Sequence, residues 1–220
     1  MYQYIFFDLD GTLTDSSEGI YNGIRYTVEK MGGSLPDDAT LKAFIGPPLQ
    51  NSFMQHCGYS EEKALQAVQT FREYYLPIGQ HQNKAAPGLA ELCVRLKEKG
   101  FKLALASSKP EELCLNICER FGFTPSMETI TGSPPQEDWN KTRVIQETMH
   151  RLGLTDADRE KILMIGDRKY DVLGAKECGI ACVGVEFFGY AAPNELEDAG
   201  AIAVAHSAEE LENILQQLSF

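Results

Sequence analysis

Tyr4-Ile5-Phe6-Phe7 is a short apolar run, aromatic and β-branched, that stops abruptly at Asp8-Leu9-Asp10-Gly11-Thr12-Leu13. A run of this kind bounded by glycine reads as a buried strand that emerges at its carboxyl end. Two carboxylates spaced i, i+2 at the mouth of such a strand are costly unless a cation or hydrogen-bond donors meet them. A metal ion is the first candidate to do so.

The same signature recurs along the chain. Ile162-Leu163-Met164-Ile165 ends in Gly166-Asp167, and Lys102-Leu103-Ala104-Leu105-Ala106 ends in Ser107-Ser108-Lys109-Pro110. Cys182-Val183-Gly184-Val185-Glu186 and Ala201-Ile202-Ala203-Val204 read as further strands. Helical periodicity separates them: Leu89, Leu92, Cys93 and Leu96 up to Gly100; Leu113, Ile117 and Phe121 up to Gly122, with Pro110 in the first turn; Asn140 to Gly153; and Tyr170 to Cys178, closed by Gly179. Ser207-Ala208-Glu209-Glu210 is a capping box that opens a last helix. Continuously apolar strands alternating with helices specify an α/β fold, a doubly wound parallel sheet covered on both faces. Gly132-Ser133-Pro134-Pro135-Gln136 is a turn-rich loop within it.

Between the first strand and Ala86 the pattern is different. Ile20, Ile24, Val28 and Met31, then Ala64, Leu65, Val68, Phe71 and Tyr75, mark two amphipathic helices, with loops at Gly32-Gly33 and Gly46-Pro47-Pro48. Crossovers in α/β units are short, so this segment reads as an inserted helical cap domain at 15–85, with the core at 1–14 and 86–220.

The 220 residues are 43% hydrophobic and 24% charged, and no window reaches the roughly 18 consecutive apolar residues of a membrane span. Met1-Tyr2-Gln3 leads straight into a strand with no signal-peptide pattern, so a cytoplasmic location is expected. The formal net charge of -12 argues against nonspecific nucleic-acid binding. It also requires local cations wherever an anion is handled, since unit charges 4 Å apart repel by about 4 kcal/mol at an effective dielectric near 20. The six cysteines form no metal-like or redox spacing and read as buried and reduced; the four histidines have no metal-like partners at helical spacing.

In an open α/β sheet, ligands bind outside the carboxyl ends of the strands near a topological switch point. Asp8 and Asp10, Ser107 and Ser108, and Asp167 all fall at such ends. An oxygen-only donor set suits a hard cation such as Mg²⁺. Ser107 and Ser108, with backbone N–H groups at a helix start, form an anion site, and Lys109 or Lys141 would complete it.

The chain resembles the haloacid dehalogenase superfamily of phosphatases over nearly its full length. Phe7-Asp8-Leu9-Asp10-Gly11-Thr12-Leu13-Thr14-Asp15-Ser16 is similar to the first motif, Ala106-Ser107-Ser108-Lys109-Pro110 to the second, and Ile165-Gly166-Asp167-Arg168-Lys169-Tyr170-Asp171 to the fourth. Lys141 fits best as the lone lysine of the third. The resemblance implies that Asp8 attacks phosphorus to give an aspartyl-phosphate and that Asp10 is the acid and base. It also implies Mg²⁺ held by the Asp8 carboxylate, the Asp10 backbone carbonyl and Asp167, with Asp171 in support, and phosphate met by Ser107, Ser108 and Lys141.

Phe44-Ile45-Gly46-Pro47-Pro48-Leu49 is similar to the cap segment of phosphoglycolate phosphatase-like members, with Gly46, Lys42 and Arg25 as candidate substrate contacts. The expected substrate is therefore a small phosphorylated metabolite, phosphoglycolate among them, with nucleoside 5'-monophosphates and sugar phosphates as competitors. A phosphosugar mutase and a phospho-acceptor signalling domain are the rival readings. Monomer and homodimer both remain open.

Overall fold

In a computed structural model, which describes residues 1–134 and 139–218, the opening apolar run lies at the middle of a parallel sheet. Its strands are β1 (Tyr4–Phe7), β4 (Lys102–Pro110), β5 (Met127–Ser133), β6 (Ile162–Gly166), β7 (Ala181–Val185) and β8 (Val204–Ala205), in the order β5-β4-β1-β6-β7-β8. Strands β2 (Thr14–Asp15) and β3 (Lys84–Ala85) form a separate two-stranded sheet. Phe7 is in register with Leu105 of β4 and with Ile165 of β6. The chain builds outward on one side of β1 and then crosses to the other, so β1 and its two neighbours end side by side at the switch point.

Side chains alternate across this sheet with the strand period of two. Ile5 and Phe7 join a core with Leu92, Cys114, Phe123 and Leu215, whereas Phe6 joins a second core with Ala104, Ile145, Met164 and Val172. Helices α5 (Leu89–Glu98), α6 (Glu111–Arg120) and α10 (Ala208–Leu218) supply the first face; α7 (Lys141–Arg151), α8 (Lys169–Glu177) and α9 (Glu195–Ala199) supply the second. Both faces are covered, which is why the central strands read as unbroken apolar runs.

The chain divides into two compact units, Met1–Thr14 with Ala85–Phe220 and Asp15–Lys84. The second unit carries α1 (Ser17–Lys30), α2 (Asp38–Ala43), α3 (Leu49–Cys57) and α4 (Glu61–Tyr75). Ile20, Ile24 and Val28 of α1 and Ala64, Val68, Phe71 and Tyr75 of α4 are buried as expected, but Leu65 is 49% exposed and lies off the packed stripe. Gly23 lets α1 approach α4 closely, since a Cβ there would stand 2.6 Å from the Phe71 ring.

Several elements escape the sequence pattern. β5 is an edge strand whose Glu128, Thr129 and Thr131 dilute the apolar signal. Helices α2, α3 and α9 span 6, 9 and 5 residues, too short for a periodic stripe to show. β4 continues through Ser107 to Pro110 with a register shift, so Pro110 is the N-cap of α6 rather than its first turn. The last expected strand shrinks to Val204–Ala205. Of the expected loop at 132–136, Pro135 and Gln136 lie outside the described residues.

Phe123 is fully buried in the first core and distant in sequence from every candidate site residue. Phe123→Ala is expected to lower unfolding free energy by about 3–5 kcal/mol in urea titration. A loss below about 1 kcal/mol would contradict this packing.

Candidate active site

β1 delivers Asp8 to the sheet edge, where its backbone N–H donates to the Ile165 carbonyl at 2.9 Å. The Asp8 side chain is 8% exposed, and its Oδ1 lies 2.7 Å from Lys141 Nζ. That ammonium also lies 2.8 Å from Asp171 Oδ1 and donates to the Ala106 carbonyl at 2.9 Å. Lys141 reaches this point from the first residue of α7, whose N-cap Asn140 accepts from Arg143 N. The helix sits close to α8 because Gly174 has no side chain; a Cβ there would stand 2.9 Å from Lys141 Cβ.

The turn after β6 brings the remaining acids. Asp167 Oδ1 accepts from Thr12 Oγ1 at 3.3 Å, while Asp167 Oδ2 is buried with no hydrogen-bond partner among the described residues. Gly11, at φ 88°, makes room for it: a Cβ would come within 2.0 Å of Asp167 Oδ2, and only glycine adopts this backbone region without strain. Asp171 Oδ2 accepts from Arg168 N at 3.1 Å across the start of α8. One carboxylate oxygen from each of Asp8, Asp167 and Asp171 lies within 4.8 Å of the others.

Asp171, expected only in support, therefore stands as a full member of the carboxylate cluster. The Asp10 carboxylate turns elsewhere, to Lys109 Nζ at 2.9 and 3.2 Å. The two candidate lysines thus have separate partners, Lys141 on Asp8 and Asp171, Lys109 on Asp10. Ser107 is buried at the end of β4 and its hydroxyl accepts from Lys109 N at 3.4 Å; Ser108 is half-buried beside it. Arg25, Lys42 and Gly46 belong to the second unit, where Arg25 pairs with Asp38 at 3.4 Å, Lys42 is exposed in α2 and Gly46 has φ 106°. The roles of Thr12 toward Asp167 and of Lys109 toward Asp10 are contacts through space that residue spacing does not reveal.

Burial pushes the Asp8 carboxyl up to about 6; Lys141 partly opposes this, and the charges of Asp171 and Asp10 add to it. Burial, then Asp171 and Asp8, hold Asp167 well above the usual carboxylate range. For Lys141 burial favours the neutral amine, but Asp171 and Asp8 outweigh it and keep the ammonium charged. An orphaned Asp167 oxygen and three buried carboxylates, two of which share one ammonium, are an environment that a hard divalent cation fits through oxygen donors alone.

The sign of the pH dependence follows. A carboxyl raised from its ordinary 3.8 to about 6 binds its proton more tightly folded than unfolded, so without a cation this group costs stability as pH rises through that window. A cation held by the ionised cluster reverses the cost. The rise in Tm on adding millimolar Mg²⁺ to chelator-treated protein should be larger at pH 7.5 than at pH 5; an equal rise at both would show that the cluster does not hold the ion.

The haloacid dehalogenase-like hydrolase family model matches residues 5–185. A 5'-nucleotidase from Pseudomonas aeruginosa is 39% identical over 195 residues, 89% of this chain and 87% of the relative. Tyrosine-protein kinase PtkA from Mycobacterium tuberculosis is 31% identical over 206 residues, 94% of this chain and 69% of the relative. The crystal structure of a predicted phosphatase from Clostridium acetobutylicum superposes with a TM-score of 0.90 at 38% identity, covering 98% of this chain and 99% of that one. With its sheet order, its acidic strand ends and these likenesses, the chain belongs to the haloacid dehalogenase-like hydrolase family.

Proposed function

We propose that the protein is a Mg²⁺-dependent phosphomonoester hydrolase that works through an aspartyl-phosphate on Asp8. The observation that carries this reading is the buried Asp8, with Lys141 at 2.7 Å and Asp167 and Asp171 around it. In the first step an Asp8 carboxylate oxygen attacks phosphorus and the bond to the ester oxygen breaks, that oxygen taking a proton from Asp10. In the second, Asp10 removes a proton from water, the resulting hydroxide attacks phosphorus, and the acyl-phosphate bond breaks to return Asp8 and inorganic phosphate.

Asp8, Asp167 and Asp171, with the Asp10 carbonyl, would hold Mg²⁺, which when bound supplies positive charge beside the phosphoryl oxygens. Lys141 orients Asp8 and adds charge on the same oxygens. Ser107 and Ser108 donate to phosphate from the end of β4. Lys109, 2.9 Å from the Asp10 carboxylate, would orient it for proton transfer to the leaving oxygen.

For the substrate, a nucleoside 5'-monophosphate stands ahead of phosphoglycolate, because a relative at 39% identity bears the name 5'-nucleotidase. Gly46, Lys42 and Arg25 are retained as candidate contacts in the second unit, on their chemistry alone. A panel of nucleoside 5'-monophosphates, phosphoglycolate and sugar phosphates, read as inorganic phosphate with and without Mg²⁺, tests the reading. Asp8→Asn and chelation should each lower kcat/KM by at least about 10³-fold. Wild-type rates surviving either would sink the mechanism. Isomerised sugar phosphate without phosphate release would indicate a mutase, and a stoichiometric, long-lived acyl-phosphate a signalling domain.

A further inference from the structure

Beyond the carboxylate cluster, one buried pair of charges has no part in the chemistry. Arg168 Nε donates to Glu195 Oε1 at 2.9 Å, with the two side chains only 7% and 8% exposed. A buried ion pair is a weak source of stability, since desolvating both groups offsets most of their attraction. Its geometry is more specific than stability requires. Glu195 Oε1 also accepts from Lys169 N at 3.0 Å, and Oε2 accepts from Ala192 N at 3.2 Å. One carboxylate thus ties the side chain of Arg168 and the backbone of Lys169 to the segment that opens α9.

Both tied residues lie in the turn that carries the acids. Asp167 immediately precedes Arg168, and the Arg168 N–H is itself the donor to Asp171 Oδ2. On the other side Glu195 is rigidly mounted. Asn194, the one non-glycine residue with positive φ among those described, sits at 60° just before it, and Leu196 just after it packs so tightly on β7 that a Cβ at Gly184 would stand 2.8 Å away. An αL residue and a close-packed anchor flank Glu195, and its three hydrogen bonds, to Arg168 Nε, Lys169 N and Ala192 N, fix where the carboxylate points.

We infer that Glu195 is a positioning residue for the cation site: through Arg168 and Lys169 it holds the turn after β6 so that Asp167 and Asp171 converge with Asp8. The inference rests on the proposal that these three carboxylates hold a divalent cation. Partners that orient metal ligands commonly change affinity by about 10–100-fold when removed. Glu195 touches neither the ligand oxygens nor the reacting atoms, so its loss should appear in metal affinity and be recovered at high metal.

Mg²⁺ binding to the purified full chain, measured by calorimetry without substrate, tests this in wild type, Glu195→Ala, Glu195→Gln and Asp167→Asn. Glu195→Ala should weaken Mg²⁺ binding by about tenfold or more. Its KM for phosphomonoester should stay within about twofold of wild type, and its kcat should recover as Mg²⁺ is raised. Glu195→Gln keeps one acceptor oxygen but turns an amide N–H₂ toward Ala192 N, and should weaken Mg²⁺ binding by about threefold. Wild-type affinity in Glu195→Ala overturns the inference; if that variant does not fold, wild-type affinity in Glu195→Gln does so. Wild-type affinity in Asp167→Asn would instead remove the cation site and the inference with it.

Discussion

The site depends on an imbalance of charge at the carboxyl end of β1. Asp8, Asp167 and Asp171 are buried with one oxygen of each within 4.8 Å of the others, and the Lys141 ammonium pairs with only two of them, Asp8 and Asp171. At an effective dielectric near 20, each unpaired contact at 4 Å costs about 4 kcal/mol, a sizeable fraction of a domain's net stability. The raised proton affinities of Asp8 and Asp167 are the response available to the protein alone. A cation offers another response, and on the proposed mechanism it would leave Asp8 ionised at neutral pH, the form a nucleophile needs.

Holding such a cluster together is a packing problem, and missing side chains solve much of it. A Cβ at Gly11 would overlap Asp167 Oδ2, and one at Gly166 would stand 2.2 Å from Asp171 Cγ. The acids therefore lie directly against backbone, where side chains cannot screen them from one another. The parallel register then makes the convergence possible. Phe7, Leu105 and Ile165 are paired across β4, β1 and β6, so the residues that follow them emerge at one edge. Two cores on opposite faces of the sheet supply the burial that keeps this edge in place.

Sequence alone goes far here because the fold and the chemistry use the same residues. Unbroken apolar runs mark strands covered on both sides, and the polar residues that end them are the candidate site. Asp8 and Asp167 are readable for that reason; Lys141, which opens α7 133 residues after Asp8 and 26 before Asp167, is readable only through its resemblance to the third motif. What was not legible is contact through space. Nothing in residue spacing pairs Lys109 with Asp10, or raises Asp171 from a helix-terminal acid to a member of the cluster. Glu195 sits in a five-residue helix too short for a periodic pattern, and its link to Arg168 exists only once α9 lies beside α8. β5 is hidden for a related reason: an edge strand need not be apolar on both faces.

The charge inventory also bears on how a chain of net charge -12 handles an anion. Arg168 with Glu195 is a neutral pair, and so is Lys109 with Asp10 while Asp10 is in the ionised form that the proposed second step uses. With its acids ionised and Lys141 protonated, the cluster of Asp8, Asp167, Asp171 and Lys141 carries two uncompensated negative charges. A monovalent cation would leave one of them, and a trivalent cation would leave an excess positive charge that retains phosphate product. A divalent cation brings the cluster to neutrality. A dianionic phosphate ester then approaches a site that no longer repels it, and release of the equally charged inorganic phosphate is not opposed by a net positive cluster. On the proposed cation site, oxygen donors would favour a hard ion and the count of buried charges a divalent one.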